Sequence, residues 1–261
     1  MRNPFLIIPF LLLLSCDNTS APILQTNSIR SSNPILQTKS FDKNSWQYFL
    51  KHLPLADSPI VDYKGKPISY QEKHVAIVKY DVGTSDLQQC ADALMRLRAE
   101  YIFQQKRYDE IGFHFVSGEY YSWNQYCKGL RPIAKGNDVT FITTTPCAQT
   151  HQTLRKYLDI VYAYASTISL AKELKPTNDF EIGTVIIHPG SPGHCCIIID
   201  ENTNASGEKV FKLAEGYTPA QSIYVLRNIW ETGKNPWYQL KKGPIVTASY
   251  EFKNYQLGRF E

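Results

Sequence analysis

Residues 183–221, GTVIIHPGSPGHCCIIIDENTNASGEKVFKLAEGYTPAQ, decide the fold of this chain. Two largely apolar runs, VIIH and CCIIID, flank the turn sequence PGSPG, and KVFKLAE follows a second, polar turn. Short β-branched runs separated by Gly, Pro and Asn are typical of neighbouring β-strands. The stretch therefore predicts three short strands of an antiparallel sheet.

A histidine stands at the start of the second of these strands. If the following hairpin is tight and centred on Asn204 and Ala205, His194 lies directly opposite Glu215 on the same face of the sheet. An imidazole with an acceptor across from it is oriented as a general base must be. A histidine at a strand end is also commonly a structural group, and the sequence alone leaves both interpretations open.

A candidate nucleophile precedes this region. The apolar run at 74–82 predicts a buried strand, and GTSD at 83–86 predicts the cap of a helix over residues 87–106. Cys90 falls near the start of that helix, where backbone N–H groups and the helix dipole stabilise a thiolate. The alternative is that Cys90 is one more small residue on a core-facing stripe.

These elements together predict an α+β fold. A second long helix is predicted over residues 150–175, ended by Pro176. A helix that carries Cys90 and packs on a small antiparallel sheet resembles the layout of papain-like cysteine hydrolases, in which the histidine arrives later on a strand. That layout implies Cys90 as nucleophile, His194 as base, Glu215 as orienting group, and Gln88 or Gln89 as oxyanion donors.

The first forty residues read as a targeting segment and a spacer. Residues 1–15 combine Arg2 with an apolar run, as secretory signal peptides do. The ending LLSC resembles a bacterial lipobox, which implies cleavage before Cys16 and lipid on that residue. An ordinary signal peptide with a chance cysteine is the alternative. Residues 16–40 are polar and predict a disordered linker.

The remainder, residues 41–261, suits a single globular domain in an extracytoplasmic compartment. The formal net charge is only +4 and no long basic run occurs, so nucleic acid is not an expected partner. The expected partners are a membrane, through the lipid on Cys16, and peptidoglycan or glycan. An oxidising compartment would permit a bridge between Cys127 and Cys147, whereas Cys195 and Cys196 are interpreted as core residues.

Aromatic residues suggest a binding surface. Trp123 lies in a loop dense in tyrosine, and Tyr217 and Gln221 bound the turn sequence YTPAQ. Such side chains could stack on sugar or peptide, and packing beneath a long loop is the alternative for Trp123. A metal site from His188, His194 and Cys196 has suitable residue types but unsuitable strand geometry. No metal and no cofactor are expected.

Several segments together resemble a bacterial family of domains of unknown function, number 4846, which implies secreted proteins and lipoproteins of the Bacteroidetes type. The matching segments are DLQQCAD at 86–92, RLRAEY at 96–101, Trp123 with GLR at 129–131, YASTISL at 164–170, GSPGH at 190–194, YTPAQ at 217–221 and PWY at 236–238. The family commonly has Gln where this chain has Glu215. Either residue offers an acceptor to an imidazole N–H.

Two functional hypotheses follow. In the first, the protein is a cell-envelope lipoprotein that hydrolyses an amide of cell-wall peptide through Cys90 and His194. In the second, it is a non-catalytic envelope lipoprotein that binds glycan or peptide in an aromatic groove. The spatial relation of Cys90, His194 and Glu215 discriminates between them, because acyl transfer requires the sulfur and the imidazole within proton-transfer reach.

Overall fold

The centre of the fold is an antiparallel sheet of nine strands. The computed structural model describes residues 40–136 and 138–261. The strands of this sheet and of three smaller two-stranded sheets are, in chain order, β1 Leu55–Ala56, β2 His74–Val78, β3 Gly112–His114, β4 Tyr120–Ser122, β5 Leu130–Lys135, β6 Asp138–Thr143, β7 Lys175–Pro176, β8 Val185–His188, β9 His194–Thr203, β10 Lys209–Glu215, β11 Tyr224–Leu226, β12 Trp237–Tyr238, β13 Ile245–Val246, β14 Glu251–Phe252 and β15 Gln256–Arg259. The main sheet has the order β1-β2-β11-β10-β9-β8-β15-β7, with β12 pairing to β10.

The helices lie between these strands in sequence. They are α1 Trp46–Lys51, α2 Cys90–Gln104, α3 Trp123–Cys127, α4 His151–Tyr164 and α5 Thr167–Glu173, and Tyr108–Glu110 form a short 3-10 helix. The helices and the antiparallel sheet confirm the predicted α+β class. The sheet is larger than predicted, because distant segments such as β2, β11 and β15 join the three strands of residues 183–221.

The hairpin of β9 and β10 has a different register from the predicted one. Its turn spans residues 204–208, so that Lys209 pairs with Thr203 and, beyond a bulge, Ala214 pairs with Ile197. The centre therefore lies later in the chain than Asn204 and Ala205. The prediction that His194 lies directly opposite Glu215 is wrong; the two residues are diagonal neighbours on one face, which long side chains can still bridge.

The two faces of the sheet bury separate apolar clusters. Along β9, Cys195 and Ile197 pack into a large core beneath the helices. Cys196 and Ile198 face a second core, which includes Tyr238 and Phe252. This alternation confirms that Cys195 and Cys196 point to opposite faces, as successive residues of a strand must.

Helix α2 lies in the middle of the larger core. Every residue from position 91 to 102 is buried, including Arg96 and Glu100, which pair with each other at 2.6 Å. The prediction of a single buried face is therefore wrong, and the charged residues are accommodated by pairing among themselves, as buried charges require. Because α2 contacts β9 and β10 as well as α4 and α5, its position relative to the sheet is fixed.

Helix α2 begins later than predicted, at Cys90. Asp86 does not cap it, since its carboxylate accepts hydrogen bonds from the Ala220 backbone N–H at 2.7 Å and from the Gln89 side chain at 3.2 Å. Instead the Asp92 carboxylate accepts from the backbone N–H of Gln89 at 3.0 Å, which closes a capping interaction one turn further on. Cys90 is consequently the first residue of the helix.

The predicted second helix is divided into two. Helix α4 ends at Tyr164, and Ser166 caps α5 by accepting a hydrogen bond from the Ile168 backbone N–H at 3.0 Å. A serine that bonds to nearby backbone competes with helix continuation, which explains the break. The break opens a gap beside the start of α2.

The signal peptide predicted at 1–15, the lipid site Cys16 and nearly all of the linker predicted at 16–40 lie outside the described residues. The assignment of 41–261 to one domain stays a prediction. None of the described helices combines the length and apolar character needed to cross a bilayer.

Candidate active site

The structure places His194 and Glu215 in direct contact. Nε2 of His194 lies 2.9 Å from Oε2 of Glu215, and both side chains are almost fully buried. The hydroxyl of Tyr224, on the neighbouring strand β11, donates to the other carboxylate oxygen. Because both oxygens of Glu215 are engaged, the carboxylate has a fixed orientation and holds the imidazole in turn.

Aromatic rings surround the His194 imidazole. Its ring centroid lies 4.8 Å from that of Tyr250, 5.2 Å from that of Tyr217 and 5.7 Å from that of Phe252. These rings exclude water, and their faces favour a cationic imidazole. The strands β13 and β14 form a hairpin, and Tyr250 in its turn and Phe252 in β14 reach the imidazole.

Cys90 approaches this histidine from the helical side of the sheet. Its side chain is half-buried, and its sulfur lies 3.9 Å from the carbonyl oxygen of Gly193, the residue before His194. The Cys195 thiol, the His194 imidazole and the backbone N–H of Ala91 all act on this sulfur and favour its ionised form. Residues from distant parts of the sequence therefore meet at one sulfur.

The surroundings of Cys90 favour the thiolate. Hydrogen bonding from the Cys195 thiol, together with the hydrogen bond and charge of His194 and the N–H of Ala91, outweighs burial and lowers the pKa of the Cys90 thiol to about 5. The position at a helix N-terminus acts in the same direction. At neutral pH the sulfur is therefore ionised.

The pKa of the His194 imidazole is shifted in the opposite direction, upward. Burial lowers the pKa of His194, but the charge of Glu215 and the hydrogen bonds with Cys90 and Glu215 exceed that effect and raise the pKa to about 9. A thiolate and an imidazolium thus coexist between these two pKa values. This is an ion pair of the kind that activates cysteine nucleophiles.

A buried lysine lies behind the carboxylate. Nζ of Lys73 donates to Oε1 of Gln221 at 3.3 Å and lies 4.5 Å from the ring centroid of Tyr217 and 4.6 Å from that of Tyr224. Burial lowers the pKa of Lys73 to about 8, against the opposing effect of the Glu215 charge. Gln221 therefore belongs to the support of Glu215, and the structure does not place it in the cleft beside Cys90.

A cleft of about 360 Å³ opens over Cys90. Its floor is the start of α2, and its walls are the end of α4, the α4–α5 break, the loop 190–193 and Thr218. Thr167 joins two of these walls, since its hydroxyl donates to the Gly190 carbonyl oxygen at 3.2 Å. The thiol is thus reachable from the surface, whereas His194 is buried behind it.

The two glutamines predicted as oxyanion donors have different positions. Gln88 is buried and accepts a hydrogen bond from Arg96 at 3.3 Å, away from the residues that line the cleft. Gln89 lines the cleft, but its Nε2 donates to Asp86 and its Oε1 accepts from Thr218 at 3.0 Å. The backbone N–H groups at the start of α2 are better placed to stabilise an anion beside the sulfur.

The predicted binding residues do not form one groove. Trp123 is fully buried in the core beneath α4, where its ring packs on Phe103 and Tyr108, which supports the packing alternative. Tyr217 is half-buried and contacts His194. Of the predicted binding residues, only Tyr217 is close to the candidate catalytic group.

The remaining cysteines lie elsewhere. The sulfurs of Cys127 and Cys147 are 3.6 Å apart, at the end of α3, and both are free thiols. Cys196 is buried on the opposite face of β9 from Cys195. Within residues 40–136 and 138–261, no three His, Cys, Asp or Glu side chains are grouped as metal ligands.

Sequence reasoning missed several members of the site. Cys195 was interpreted as core packing, but its thiol also supports the Cys90 sulfur. Tyr224 and Lys73 come from strands whose neighbours could not be assigned from local pattern. The repeated CC at the start of β9 was the one available signal, since alternation sends one of the two cysteines toward the helices.

The fold and site define an α+β domain with a buried carboxylate–imidazole pair facing a thiol at a helix N-terminus. Residues 31–259 match the family described as Domain of unknown function (4846). The chain belongs to this family. No curated protein matches the chain, and neither does any solved structure.

Proposed function

We propose that the protein is a cysteine hydrolase that cleaves an amide bond by acyl transfer through Cys90. The observation that carries the proposal is the interaction of the Cys90 sulfur with His194, with the thiol pKa lowered to about 5 and the imidazole pKa raised to about 9. Opposite shifts of a thiol and an imidazole create a reactive ion pair at neutral pH. A half-buried sulfur facing a cleft can also be reached by a substrate.

The first half of the reaction forms an acyl-enzyme. The Cys90 thiolate attacks the carbonyl carbon of the scissile amide, and the carbonyl oxygen becomes an oxyanion. Backbone N–H groups at the start of α2, including that of Ala91, stabilise this charge. The His194 imidazolium then gives its proton to the amide nitrogen, the C–N bond breaks, and the amine leaves with a thioester left on Cys90.

The second half regenerates the thiolate. Neutral His194 takes a proton from water, which attacks the thioester carbonyl and releases a carboxylic acid. Glu215 holds Nε2 of the imidazole at 2.9 Å, which leaves Nδ1 for proton exchange with the sulfur, the leaving amine and water. Glu215 itself exchanges no proton in these steps.

The proposed substrate is the peptide part of the cell wall, met outside the cytoplasm. Support comes from the lipobox-like sequence that ends at Cys16, which would place the protein in the cell envelope. Lipid on Cys16 would anchor the protein at the membrane surface, in the outer membrane or on the periplasmic side. Replacing Cys16 by Ser should release the protein from the membrane fraction; retention of that variant in membranes would contradict the anchor.

The decisive experiment follows amide cleavage of purified peptidoglycan peptides by mass spectrometry. Cys90→Ala should abolish turnover, and the matched variant Cys147→Ala, which removes a thiol outside the cleft, should retain it. Turnover by folded Cys90→Ala would contradict the mechanism. Binding of peptide or glycan that is unchanged by Cys90→Ala, without turnover by either protein, would favour a non-catalytic binding module.

A further inference from the structure

Two residues that line the cleft each have a buried polar atom without a partner. Oδ1 of Asp92 and the hydroxyl of Tyr162 make no hydrogen bond within the described part of the chain. Asp92 is 6% exposed and Tyr162 5% exposed, and both residues line the cleft with Cys90. Because an unpaired buried polar atom costs free energy, two of them beside a reactive sulfur indicate a place for ligand groups.

The Asp92 carboxyl is fixed in position. Its Oδ2 accepts from the Gln89 backbone N–H at 3.0 Å, which orients the group and leaves Oδ1 unused. Asp92 is the third residue of α2, whose first residue is Cys90. The capping hydrogen bond therefore fixes the unpartnered oxygen, and the Cys90 charge acts on the same carboxyl, as expected of a specificity group near the sulfur.

The charges around this oxygen favour a cationic ligand. The cleft is lined by Asp86 and Asp92, and no Lys, Arg or His side chain is among the described residues that line it. Burial, together with the charge of the Cys90 thiolate, raises the pKa of Asp92 well above its usual value. A ligand cation would supply the missing counter-charge and restore the ionised carboxylate.

The nearest cations are already neutralised. Arg96 interacts electrostatically with Tyr162, but its guanidinium is paired with Glu100 at 2.6 Å and with Asp81 at 3.2 Å. Arg155 also pairs with Asp81, at 3.1 Å. The Asp159 carboxyl, on the same helix as Tyr162, is exposed and does not line the cleft.

We propose that Asp92 and Tyr162 form a subsite for a protonated primary amine of the substrate, next to the scissile carbonyl. The Oδ1 atom and the tyrosine hydroxyl both accept hydrogen bonds from the ammonium group. The role of this subsite in selecting a substrate rests on the proposed hydrolase function. The substrate class is then a peptide that presents an amine beside the cleaved amide, from either a free N-terminus or a diamino-acid side chain.

The test uses charge-matched thiol reagents and needs no turnover. The Cys90 thiolate attacks the thio sulfur of 2-aminoethyl methanethiosulfonate or of ethyl methanethiosulfonate, forming a mixed disulfide and releasing methanesulfinate. The rate ratio of the cationic to the neutral reagent, divided by the same ratio for a free small thiol, reports the amine preference. Since both reagents use the same sulfur, changes in thiol reactivity cancel from the ratio.

In the unaltered protein the ratio should be about tenfold or more, as expected for a hydrogen bond to a charged group. Asp92→Asn, which keeps an oxygen to cap the helix, should bring it close to one, and Tyr162→Phe should lower it. The charge-matched control Asp159→Asn, which removes a charge that acts on Tyr162 from outside the cleft lining, should change the ratio far less. A ratio near one in the unaltered protein, or equal ratios in Asp92→Asn and Asp159→Asn, overturns the subsite.

Protection of Cys90 then distinguishes the source of the amine. L-alanine amide offers an α-amine, whereas Nα-acetyl-L-lysine amide offers only a side-chain amine. Slower modification by ethyl methanethiosulfonate with one compound identifies its amine as the preferred source, and protection by neither contradicts the subsite. A preserved tenfold ratio with no peptide turnover would overturn the hydrolase function alone, so the two proposals fail separately.

Discussion

Two cysteine pairs in this molecule have opposite chemistry. Cys90 is the first residue of α2 and interacts with Cys195, and its thiol pKa is lowered to about 5. Cys127 is the last residue of α3 and lies 3.6 Å from Cys147; burial and the neighbouring thiol raise its pKa to about 12. A second thiol lies near each sulfur, but the two act in opposite directions: hydrogen bonding with Cys195 lowers the pKa of the Cys90 thiol, whereas Cys147 raises that of Cys127.

The charge that surrounds each sulfur also differs. Cys90 has backbone N–H groups, a helix N-terminus and an imidazolium held by Glu215. Cys127 lies at a helix C-terminus. A carbonyl oxygen lies 3.8–3.9 Å from each sulfur and does not distinguish them. Donors and cations stabilise a thiolate, whereas carbonyl groups and burial oppose it. The comparison indicates that the opposite effects of the two partner thiols, the imidazole and the position in the helix together create the candidate nucleophile.

The largest expected effect is the contrast in alkylation itself. At pH 7 the thiolate fractions of Cys90 and Cys127 should differ by a factor of about 10⁵. The more acidic thiol is intrinsically less nucleophilic, which reduces its rate advantage by a factor of about 10³. Iodoacetamide should therefore modify Cys90 roughly 10²-fold faster. Peptide mapping after timed quenching measures both sites in one sample. Equal rates would remove the basis of the comparison and of the proposed hydrolase.

The next effect removes the imidazole. His194→Ala takes away an opposite charge and a hydrogen bond, so the Cys90 thiol pKa should rise from about 5 by about 1–3 units. The midpoint of the alkylation rate against pH should move up by the same amount, because that midpoint follows the pKa of the thiol. His188→Ala is the matched control, since His188 bonds to the Asn254 carbonyl oxygen at 2.6 Å. An unshifted pH profile in His194→Ala would show that the helix end alone ionises the sulfur.

A smaller change tests the carboxylate. Glu215→Gln keeps an acceptor for His194 but removes the charge, so the pKa of the imidazole should fall from about 9. The imidazolium is present below that pKa, so the alkaline limb of activity moves to lower pH, by about one unit. The acid limb should stay near pH 5, where the Cys90 thiol ionises. Rates of peptide cleavage between pH 4 and pH 10 measure both limbs, and a fixed alkaline limb would exclude His194 as its origin.

The smallest effect on reactivity comes from two tightly packed glycines. A Cβ at Gly193 would lie 2.7 Å from the Gly190 carbonyl oxygen, and one at Gly129, near Cys127, would lie 2.2 Å from the Thr144 carbonyl oxygen. Either Gly→Ala change should lower the free energy of unfolding by about 1–3 kcal/mol. Only Gly193→Ala should slow Cys90 alkylation, by a few-fold, as its carbonyl oxygen contacts the sulfur. Denaturant titration and alkylation rates check the pair; equal slowing by both would indicate a general loss of stability.

Much of this site could be predicted from the sequence, because it depends on local patterns of strand, turn and helix. The strand–turn–helix pattern located the start of α2 to within three residues, and strand alternation separated Cys195 from Cys196. His194 and Glu215 were paired although the register was wrong. The error was harmless because a diagonal neighbour on the same face remains within reach of a long side chain.

Other features depend on tertiary packing, and no local sequence pattern predicts them. Helix α2 is buried on all sides, including its charged residues Arg96, Arg98 and Glu100. Charged residues in a helical sequence normally indicate an exposed face, so the pattern of the sequence does not reveal this burial. Lys73 directly precedes β2 and lies more than a hundred residues before the hairpin that it supports. Pairings of this kind cannot be found from single-sequence patterns, since they depend on which strands become neighbours.

The position of α2 has a consequence for how such proteins diversify. The candidate nucleophile Cys90 belongs to a helix enclosed by the core, whereas the walls of its cleft are the α4–α5 break, the loop 190–193 and the turn that contains Thr218. Loops accept insertions and exchanges far more readily than buried helices do. Selection or laboratory engineering can therefore remodel what enters the cleft, segment by segment, while the anchored sulfur keeps its chemistry.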